Sequence, residues 1–143
     1  MNNFMANFKK EFNKLIVTEG GYVNDKDDKG GETYLGISKK AHPYSSIWSI
    51  IDEYKKKYPI NKLTKELKKN KKLTELIGDI YKKEYWDIFD LDKVKNQNIA
   101  HQLFDDSVNR GVRAATRTAE HIIGMTVTGR ISDELLYNLK KYV

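Results

Sequence analysis

The sequence predicts a mainly α-helical domain of the α+β class, with one small β element near the N-terminus. Along most of the chain, apolar residues recur every three or four positions, which is typical of amphipathic helices. One segment, residues 19–38, breaks this pattern with clusters of Gly, Asn and Asp between short β-prone runs. The 143 residues suit a single compact domain, and nine Tyr, five Phe and two Trp are enough aromatic side chains to build a core.

The first predicted helix covers residues 3–18, where apolar side chains recur at helical spacing from Phe4 to Ile16. Gly20 and Gly21 are predicted to end it, because glycine readily adopts the left-handed conformation of a helix cap. The segment that follows, residues 19–38, is predicted to form a β-hairpin or a small meander.

Ser38 is predicted to cap a short helix that ends at His42-Pro43, because the residue before proline disfavours helical geometry. Further helices are predicted wherever the apolar spacing resumes, and Ser132 is predicted to cap the last of them. These segments are Trp48–Tyr58, Leu63–Leu67, Leu73–Trp86, Ile99–Val108 (ending at Gly111), Ala115–Ile123 (ending at Gly124) and Leu135–Leu139.

The composition excludes several classes of protein. The chain has no cysteine, so it has no disulfide framework, no Cys-ligated zinc site and no cysteine nucleophile. No apolar run reaches about 18 residues, and the first residues alternate apolar and charged side chains, so we expect neither a membrane span nor a secretory signal. The net charge of +6 is concentrated between Lys55 and Lys72. Such a surface favours polyanions such as nucleic acid, anionic lipid or an anionic cell wall, although a lysine-rich run is most often a solvated face.

The candidate chemistry centres on Glu19, the last residue before the Gly-Gly pair. The negative end of a helix dipole favours the protonated form of a carboxyl group, as a general acid near neutral pH requires. Asp25, Asp27, Asp28 and Glu32 follow closely in the chain. Glycosidic bond cleavage uses such a pair of carboxyl groups, one as the acid and the other to activate water or stabilise the cation.

Three other interpretations of this segment stay open on the residues alone. A calcium loop starting at Asp25 would place Asp27 and Gly30 correctly, but it puts Lys29 and Gly36 where ligands belong. A phosphate-binding loop would need the GxxxxGK[ST] pattern, which is absent from the sequence. The third interpretation is an ordinary solvated hairpin.

Three segments together resemble family 108 of the glycoside hydrolases. The stretch EGGYVNDKDDKGGETYLGIS (19–38) is similar to the family's opening signature of Glu-Gly-Gly-Tyr, an Asn/Asp loop, Asp-x-Gly-Gly-x-Thr and an aromatic residue before Gly-Ile. The stretch YKKEYWDIF (81–89) resembles its Tyr-Trp helix, and FDDSVNRGVRAATRTAEHIIG (104–124) its Phe-Asp-x-x-Val-Asn-x-Gly segment.

This resemblance implies an N-acetylmuramidase with a lysozyme-like fold, in which a small N-terminal β-hairpin lobe accompanies a helical lobe. Such enzymes cut the β-1,4 bond between N-acetylmuramic acid and N-acetylglucosamine in peptidoglycan, and no metal or organic cofactor is implied. Glu19 matches the family's catalytic Glu. Asp28 and Thr33 match the Asp and Thr that follow this Glu in phage-type lysozymes, with the Thr offset by one residue.

Four further residues are candidate substrate contacts. Tyr22 and Tyr34 flank the loop and could stack on sugar faces, or else pack within the hairpin. Trp86 could line the cleft or the core. Asn109 could hydrogen-bond an acetamido group or cap its helix.

Residues 1–95 are predicted to be the lysozyme-like catalytic region, and residues 96–143 a shortened helical segment resembling a peptidoglycan-binding region, packed in the same domain. The Asp-Gly turn expected there reads Thr128-Gly129, and the chain stops at Val143, where relatives usually continue. Self-association could therefore complete the helical lobe.

The resemblance leaves alternative functions open. A lytic transglycosylase needs one acid/base Glu and no Asp. A catalytically impaired protein could bind peptidoglycan or assist secretion. A nucleic-acid binder would use residues 55–72, but no arginine-aromatic platform supports it, so we expect glycan strands as partners and no nucleic acid. We expect synthesis in the cytoplasm without a signal peptide. Holin- or secretion-system-assisted export would then carry the protein to the periplasm and cell wall, as for a bacteriolytic endolysin or a secretion-associated muramidase.

Overall fold

The computed structural model describes residues 5–25, 27 and 31–142. The chain divides into two compact units. Unit 1 combines Met1–Leu15 with Tyr81–Val143, and unit 2 is the continuous stretch Ile16–Ile80. Unit 1 is therefore discontinuous in sequence. The predicted division at residue 95 stays a prediction.

Unit 2 contains a three-stranded antiparallel meander followed by helices. The strands are β1 (Val23–Asn24), β2 (Glu32–Tyr34) and β3 (Ile37–Ser38), in the order β1-β2-β3. Val23 is paired with Thr33, and Tyr34 with Ile37. The helices are α2 (Ile47–Lys57), α3 (Ile60–Lys68) and α4 (Lys71–Tyr81), whose last residue belongs to unit 1. The predicted meander is confirmed.

The turn between β2 and β3 explains one glycine of the motif. Leu35 and Gly36 both have positive φ, 46° and 82°. A two-residue hairpin turn with two positive φ values is the type whose twist matches that of the strands, and it favours glycine. Gly36 is therefore placed where the backbone of the meander needs it.

Unit 1 contains most of helix α1 (Phe8–Thr18) and everything from Tyr81 onward. After α4 come a π-helical turn (Lys82–Trp86), two 3₁₀ turns (Asp87–Phe89 and Leu91–Lys93) and the helices α5 (Gln97–Arg110), α6 (Val112–Ile122) and α7 (Asp133–Lys141). An aromatic cluster lies at the centre of this unit. The ring centroid of Phe8 is 5.3 Å from that of Trp86 and 5.5 Å from that of Phe104.

The predicted ends of the later helices are confirmed by their caps. The Ser132 hydroxyl accepts a hydrogen bond from the Leu135 amide at 3.1 Å, as a helix N-cap does. Gly111 follows α5 with a φ of 95°, and Gly124 follows α6 with a φ of 79°.

The first helix is shorter than predicted. Within the described residues it begins at Phe8 and not at residue 3. The Asn7 side chain accepts a hydrogen bond from the Lys10 amide at 3.1 Å, which caps the helix at this point. Just before it, the Ala6 amide donates to the Val94 carbonyl at 2.7 Å, so this stretch of backbone is tied to unit 1 instead of continuing the helix.

The short helix predicted after Ser38 is also wrong. Ser38 is the last residue of β3, and residues 39–41 form a turn. The Ser38 hydroxyl does accept a hydrogen bond from the Ala41 amide at 3.1 Å, so it caps a turn and not a helix. Pro43 lacks the N–H that another helical turn would require.

The prediction that Gly20 and Gly21 end α1 through a left-handed cap is also wrong. Neither residue has a positive φ, so neither forms a left-handed cap. At Gly21 the constraint is space, because an added Cβ would lie 2.3 Å from the Cγ2 atom of Thr64. Gly20 has no such neighbour within 4 Å. The mainly helical architecture with a small antiparallel sheet is nevertheless the predicted one.

Candidate active site

Glu19 directly follows Thr18, the last residue of α1, and precedes the meander in unit 2. Its side chain is neither buried nor fully exposed. Within the described part of the chain, its carboxyl group makes no ion pair and no hydrogen bond. Glu19 is therefore a partly shielded carboxyl group for which the described residues provide no ion pair or hydrogen bond.

Glu32, by contrast, is held in a polar cluster at the start of β2. Its Oε2 atom accepts hydrogen bonds from the phenol of Tyr22 and from Lys55 Nζ, the latter at 3.0 Å. Lys39 Nζ lies 3.3 Å from Glu32 Oε1, and the Glu32 side chain is only 9% exposed. Lys55 Nζ also lies 5.4 Å from the centroid of the Tyr22 ring, a cation–π contact. We call Tyr22, Glu32, Lys39 and Lys55 the Glu32 cluster.

The Glu32 cluster keeps its carboxyl group ionised. Burial alone would raise the pKa of Glu32, but the hydrogen bonds from Tyr22, Lys55 and Lys39 outweigh burial and lower it. Burial raises the pKa of Tyr22, and its hydrogen bond to Glu32 adds to the rise. Glu32 is thus poorly suited to donate a proton.

Two other glutamates, both in unit 1, also have hydrogen-bond partners. Glu11 is 2% exposed, and it is contacted by Gln97 Nε2 and His101 Nδ1, each at 2.5 Å. Glu120 is 1% exposed and accepts three hydrogen bonds from Thr128 and Gly129. Glu19 differs from Glu11, Glu32 and Glu120 in having no such partner among the described residues.

Asp28, the predicted second carboxyl group, lies outside the described residues, as do Lys29 and Gly30 of the same loop. Its role and its distance from Glu19 stay predictions. In the described part of this loop, Asp25 is exposed and its carboxylate accepts a hydrogen bond from the Asp27 amide at 2.9 Å.

Thr33 is the central residue of β2 and is paired with Val23 on one side and Ser38 on the other. It is partly exposed, whereas the next residue, Tyr34, is completely buried. Because successive side chains of a strand point to opposite faces, Thr33 lies on the more open face of the meander. This placement is compatible with the predicted contact to a reacting sugar or water.

The two tyrosines of the motif are packed. Tyr34 is 0% exposed and Tyr22 is 8% exposed. Burial raises the pKa of Tyr34 to about 12. The Tyr34 phenol has no hydrogen-bond partner among the described residues, and that of Tyr22 is engaged by Glu32. Stacking on a sugar needs an exposed ring face, so the structure favours packing within the hairpin for both residues.

Trp86 and Asn109 belong to unit 1. Trp86 is 0% exposed, and its indole N–H donates a hydrogen bond to Asp92 Oδ1 at 2.9 Å. Burial within the aromatic cluster corrects the expectation of a sugar contact at Trp86. Asn109 is exposed in the last turn of α5, and the residue that ends this helix is Gly111.

Sequence reasoning missed the lysines of the Glu32 cluster and the contact between Gly21 and Thr64. Lys55 appeared in the sequence only as part of a basic run. The Thr64 hydroxyl accepts a hydrogen bond from the Tyr22 amide at 3.0 Å, which ties α3 to the backbone beside the motif. Lys55 and Thr64 lie far along the chain from the motif residues that they contact. The sequence around each of them therefore does not indicate its partner.

No group of three or more His, Cys, Asp or Glu residues in the described ranges is arranged to hold a metal ion. Among the same residues, no helix combines the length and apolar character needed to cross a bilayer.

Comparison with solved structures gives a match described as "Structure of Brucella abortus SagA", with a TM-score of 0.59 and 24% sequence identity. The match covers 95% of this chain and 70% of that chain, and it shows a shared fold. Comparison with curated proteins gives no match. The α+β, lysozyme-like fold expected from the sequence is confirmed.

Comparison with protein-family models matches residues 12–111 to the family described as Glycosyl hydrolase 108. The matched range contains Glu19, the meander, Trp86 and Asn109. It covers well over half of the chain. The chain therefore belongs to the glycosyl hydrolase 108 family.

Proposed function

We propose that the protein is an N-acetylmuramidase that hydrolyses the β-1,4 bond between N-acetylmuramic acid and N-acetylglucosamine, with Glu19 as the general acid. Membership of the family supports a glycoside hydrolase that acts on peptidoglycan. One observation carries the assignment of the acid. Glu19 is a partly shielded carboxyl group at the end of α1, and the described residues offer it no ion pair or hydrogen bond.

The reaction begins with the proton on Glu19. Glu19 donates this proton to the glycosidic oxygen while an oxocarbenium-like state develops on the muramyl ring. In the proposal, Asp28 stabilises this positive charge or orients a water molecule, and Thr33 helps to position the reacting group.

Glu32 is the nearest competitor for the role of acid in the motif, and its surroundings argue against it. A general acid must hold a proton near the working pH. Hydrogen bonds from Tyr22, Lys55 and Lys39 lower the pKa of Glu32 despite its burial, so it stays a carboxylate. Its proposed role is to position the meander beside the reacting residues.

The direct test is the clearing of purified peptidoglycan by the wild type and by Glu19→Gln at equal folded concentration. Loss of a general acid typically costs about 10²–10⁴-fold in rate. We expect a loss of this size for Glu19→Gln with an unchanged melting temperature. Glu53→Gln is the matched control, because Glu53 is an exposed glutamate of α2 whose ion-pair partner among the described residues is Lys56, at 3.3 Å. Equal clearing by wild type and Glu19→Gln would show that Glu19 is not the acid.

Product analysis separates hydrolysis from lytic transglycosylation, the main alternative. Hydrolysis leaves a reducing N-acetylmuramic acid end that takes its oxygen from water. Transglycosylation leaves an anhydro sugar instead. If the wild type and Glu19→Gln both bind peptidoglycan but neither clears it, the protein is a catalytically impaired binding protein. Under the proposal, the enzyme acts in the periplasm or cell wall after assisted export.

A further inference from the structure

The helices α2 and α3 of unit 2 are joined by a segment with a high positive charge. Residues 55–72 include nine lysines, one glutamate and no arginine. Three of these lysines pair with Glu32, Glu53 and Glu66. The other six are exposed and have no ion-pair partner within the described part of the chain; they are Lys57, Lys62, Lys65, Lys68, Lys71 and Lys72. Most of the positive charge of this segment is therefore free to meet an external anion.

Local helix energetics do not explain where these lysines lie. Lys62 is in the first turn of α3, and Lys71 and Lys72 are the first two residues of α4. The first turn of each of these helices contains no acidic residue. The N-terminal end of a helix carries partial positive charge, so a cation there is unfavourable. A negatively charged surface outside the protein would stabilise the same lysines.

Helix α3 presents its lysines on the side that faces away from the interior of unit 2. Leu63 and Leu67, one turn apart, are 2% and 0% exposed and form the inner side of the helix. Lys62, Lys65 and Lys68 recur every three residues, and all of them are exposed. The outer side of α3 therefore carries a row of cations.

An exposed apolar side chain lies at the start of the same helix. Ile60 is the first residue of α3 and is 72% exposed. It lies three positions after Lys57 and two before Lys62. A single exposed apolar residue is ordinary, but one that is flanked by lysines is typical of segments that lie at a membrane interface. We call Lys57, Ile60, Lys62, Lys65 and Lys68 the α2–α3 corner.

The backbone at the α2–α3 corner is held in place by the protein itself. The Tyr58 amide donates a hydrogen bond to the Tyr54 carbonyl at 2.9 Å, and the Lys62 amide donates to the Pro59 carbonyl at 2.9 Å. The ring centroids of Tyr54 and Tyr58 lie 5.7 Å apart. Ile60 is therefore presented on an ordered backbone, which reduces the cost of binding.

The chemistry of the α2–α3 corner favours a lipid surface over a nucleic acid. Its cations are all lysines, whereas readout of bases commonly uses the planar group of arginine. Single-stranded nucleic acid is held by stacking on aromatic rings, but the nearby rings of Tyr54 and Tyr58 pack against each other. The aliphatic side chain of Ile60 offers no bond to a phosphate, yet it gains by entering the acyl region of a bilayer.

We propose that the α2–α3 corner docks the protein on a bilayer that contains anionic lipids. Ile60 enters the boundary between the headgroups and the acyl chains, while the lysines lie at the level of the lipid phosphates. Thr64 of α3 bonds the Tyr22 amide beside the motif, and docking through the outer side of the helix leaves that contact uncovered. Docking requires neither cleavage nor Glu19, so it is independent of the proposed function.

The test is co-sedimentation of the intact wild type with lipid vesicles. One set of vesicles contains phosphatidylcholine alone, and the other contains phosphatidylglycerol as about one third of the lipid. We expect binding to the anionic vesicles to be at least about tenfold tighter at about 0.1 M salt, and to weaken when the salt is raised to about 0.5 M.

The contribution of the lysines is measured with two triple variants of equal net charge. Lys57→Gln, Lys62→Gln and Lys65→Gln together should weaken binding to anionic vesicles at least about 30-fold, because each lysine near such a surface contributes about fivefold. The matched control replaces three exposed lysines of unit 1 that have no ion-pair partner among the described residues, namely Lys9→Gln, Lys83→Gln and Lys95→Gln. The control should stay within about threefold of the wild type.

The contribution of Ile60 separates a bilayer from other polyanions. Ile60→Ser should weaken binding to anionic vesicles about three- to tenfold, because the inserted apolar surface is lost. Its binding to a duplex DNA should equal that of the wild type. Val17→Ser is the matched control, because Val17 is an 82% exposed apolar residue of unit 2 outside the α2–α3 corner. Circular dichroism of every variant confirms folding.

Four results would overturn the proposal. They are equal binding of neutral and anionic vesicles by the wild type, equal losses in the two triple variants, unchanged vesicle binding by Ile60→Ser, and binding of duplex DNA at a salt concentration where the anionic vesicles are not bound. The last result would identify a nucleic-acid surface instead. A protein that docks on anionic vesicles but does not clear peptidoglycan would keep this proposal and lose the muramidase proposal.

Discussion

Lys55 Nζ lies 3.0 Å from Glu32 Oε2, and this ion pair links helix α2 to the first residue of strand β2. Tyr22 donates its phenolic proton to the same oxygen. The start of the meander is therefore tied to both α2 and the residue just before β1. Since Glu19 and Tyr22 are separated by only two glycines, the ion pair helps to fix the chain directly after the proposed acid.

Glu32→Gln is expected to lower the free energy of unfolding at pH 7 by about 1–3 kcal/mol, because it removes a charge that is only 9% exposed and is held by Tyr22, Lys39 and Lys55. The folded-state pKa of Glu32 is below its ordinary value of 4.5, so the carboxylate's contribution is complete above that value. It is lost as the pH falls through the folded-state pKa. The stability difference between wild type and Glu32→Gln should therefore shrink on acidification below about pH 4.5, as urea unfolding at a series of pH values would measure.

Glu53→Gln provides the comparison for Glu32→Gln. Its side chain is 64% exposed, and exposed ion pairs contribute little. A pH-independent difference at Glu32, or an equally large effect at Glu53, would contradict the structural role of the Glu32 cluster.

Gly21→Ala is expected to destabilise the protein by about 1–3 kcal/mol, because the new methyl group would meet the Thr64 side chain at 2.3 Å. Gly20→Ala is the matched control. No heavy atom lies within 4 Å of its added Cβ and its φ is not positive, so its effect should stay within about 1 kcal/mol. Thermal unfolding of the two variants makes the comparison.

Thr64→Ser tests the cause of the Gly21→Ala effect. Serine removes the Cγ2 atom that makes the closest contact, and it keeps the hydroxyl that accepts from the Tyr22 amide. The double variant that combines Gly21→Ala with Thr64→Ser should therefore recover part of the stability lost in Gly21→Ala alone. Strictly additive effects would argue against the steric explanation.

Trp86→Phe distinguishes a core residue from a sugar contact. The smaller ring leaves a gap beside Phe8 and Phe104 and removes the hydrogen bond to Asp92, so we expect a loss of about 1–3 kcal/mol in stability. The KM for peptidoglycan should not change at temperatures where the variant is folded. A raised KM with unchanged stability would restore the sugar-binding interpretation.

Glu120→Gln is expected to cost about 2–4 kcal/mol, since the amide keeps one acceptor oxygen and turns an NH₂ group toward backbone and hydroxyl donors. The pKa of Glu120 is lowered, so this contribution is also lost on acidification and retained toward neutral pH. Thr128→Val removes only one of the partners and should cost about 1 kcal/mol. Equal stability of Glu120→Gln and the wild type would show that the carboxylate does not hold the turn.

The sequence predicted the elements that depend on local patterns. Apolar spacing located the later helices, and Ser132 and Gly111 marked their ends because capping acts within a few residues. What it could not predict depends on contacts between residues far apart in the chain. The start of α1 at Phe8 reflects the hydrogen bond from Ala6 to Val94.

The same distinction separates the parts of the candidate site. Glu19 was found because its position relative to the Gly-Gly pair is a short-range feature. The partner of Glu32 was not found, because Lys55 lies 23 residues further along and resembles every other lysine of the basic run. The burial of Trp86 depends on Phe8, which lies much earlier in the chain.

The discontinuity of unit 1 has a consequence for the order in which the protein folds during synthesis. Unit 2 is one uninterrupted stretch, so its contacts become available as soon as that stretch has left the ribosome. Phe8 and Phe12 are made first, yet their aromatic partners Tyr81, Trp86 and Phe104 are made much later. The apolar face of α1 must therefore remain unburied by these partners until the later residues emerge. We therefore expect completion of unit 1, whose contacts join residues far apart in the chain, to be slower than folding of unit 2.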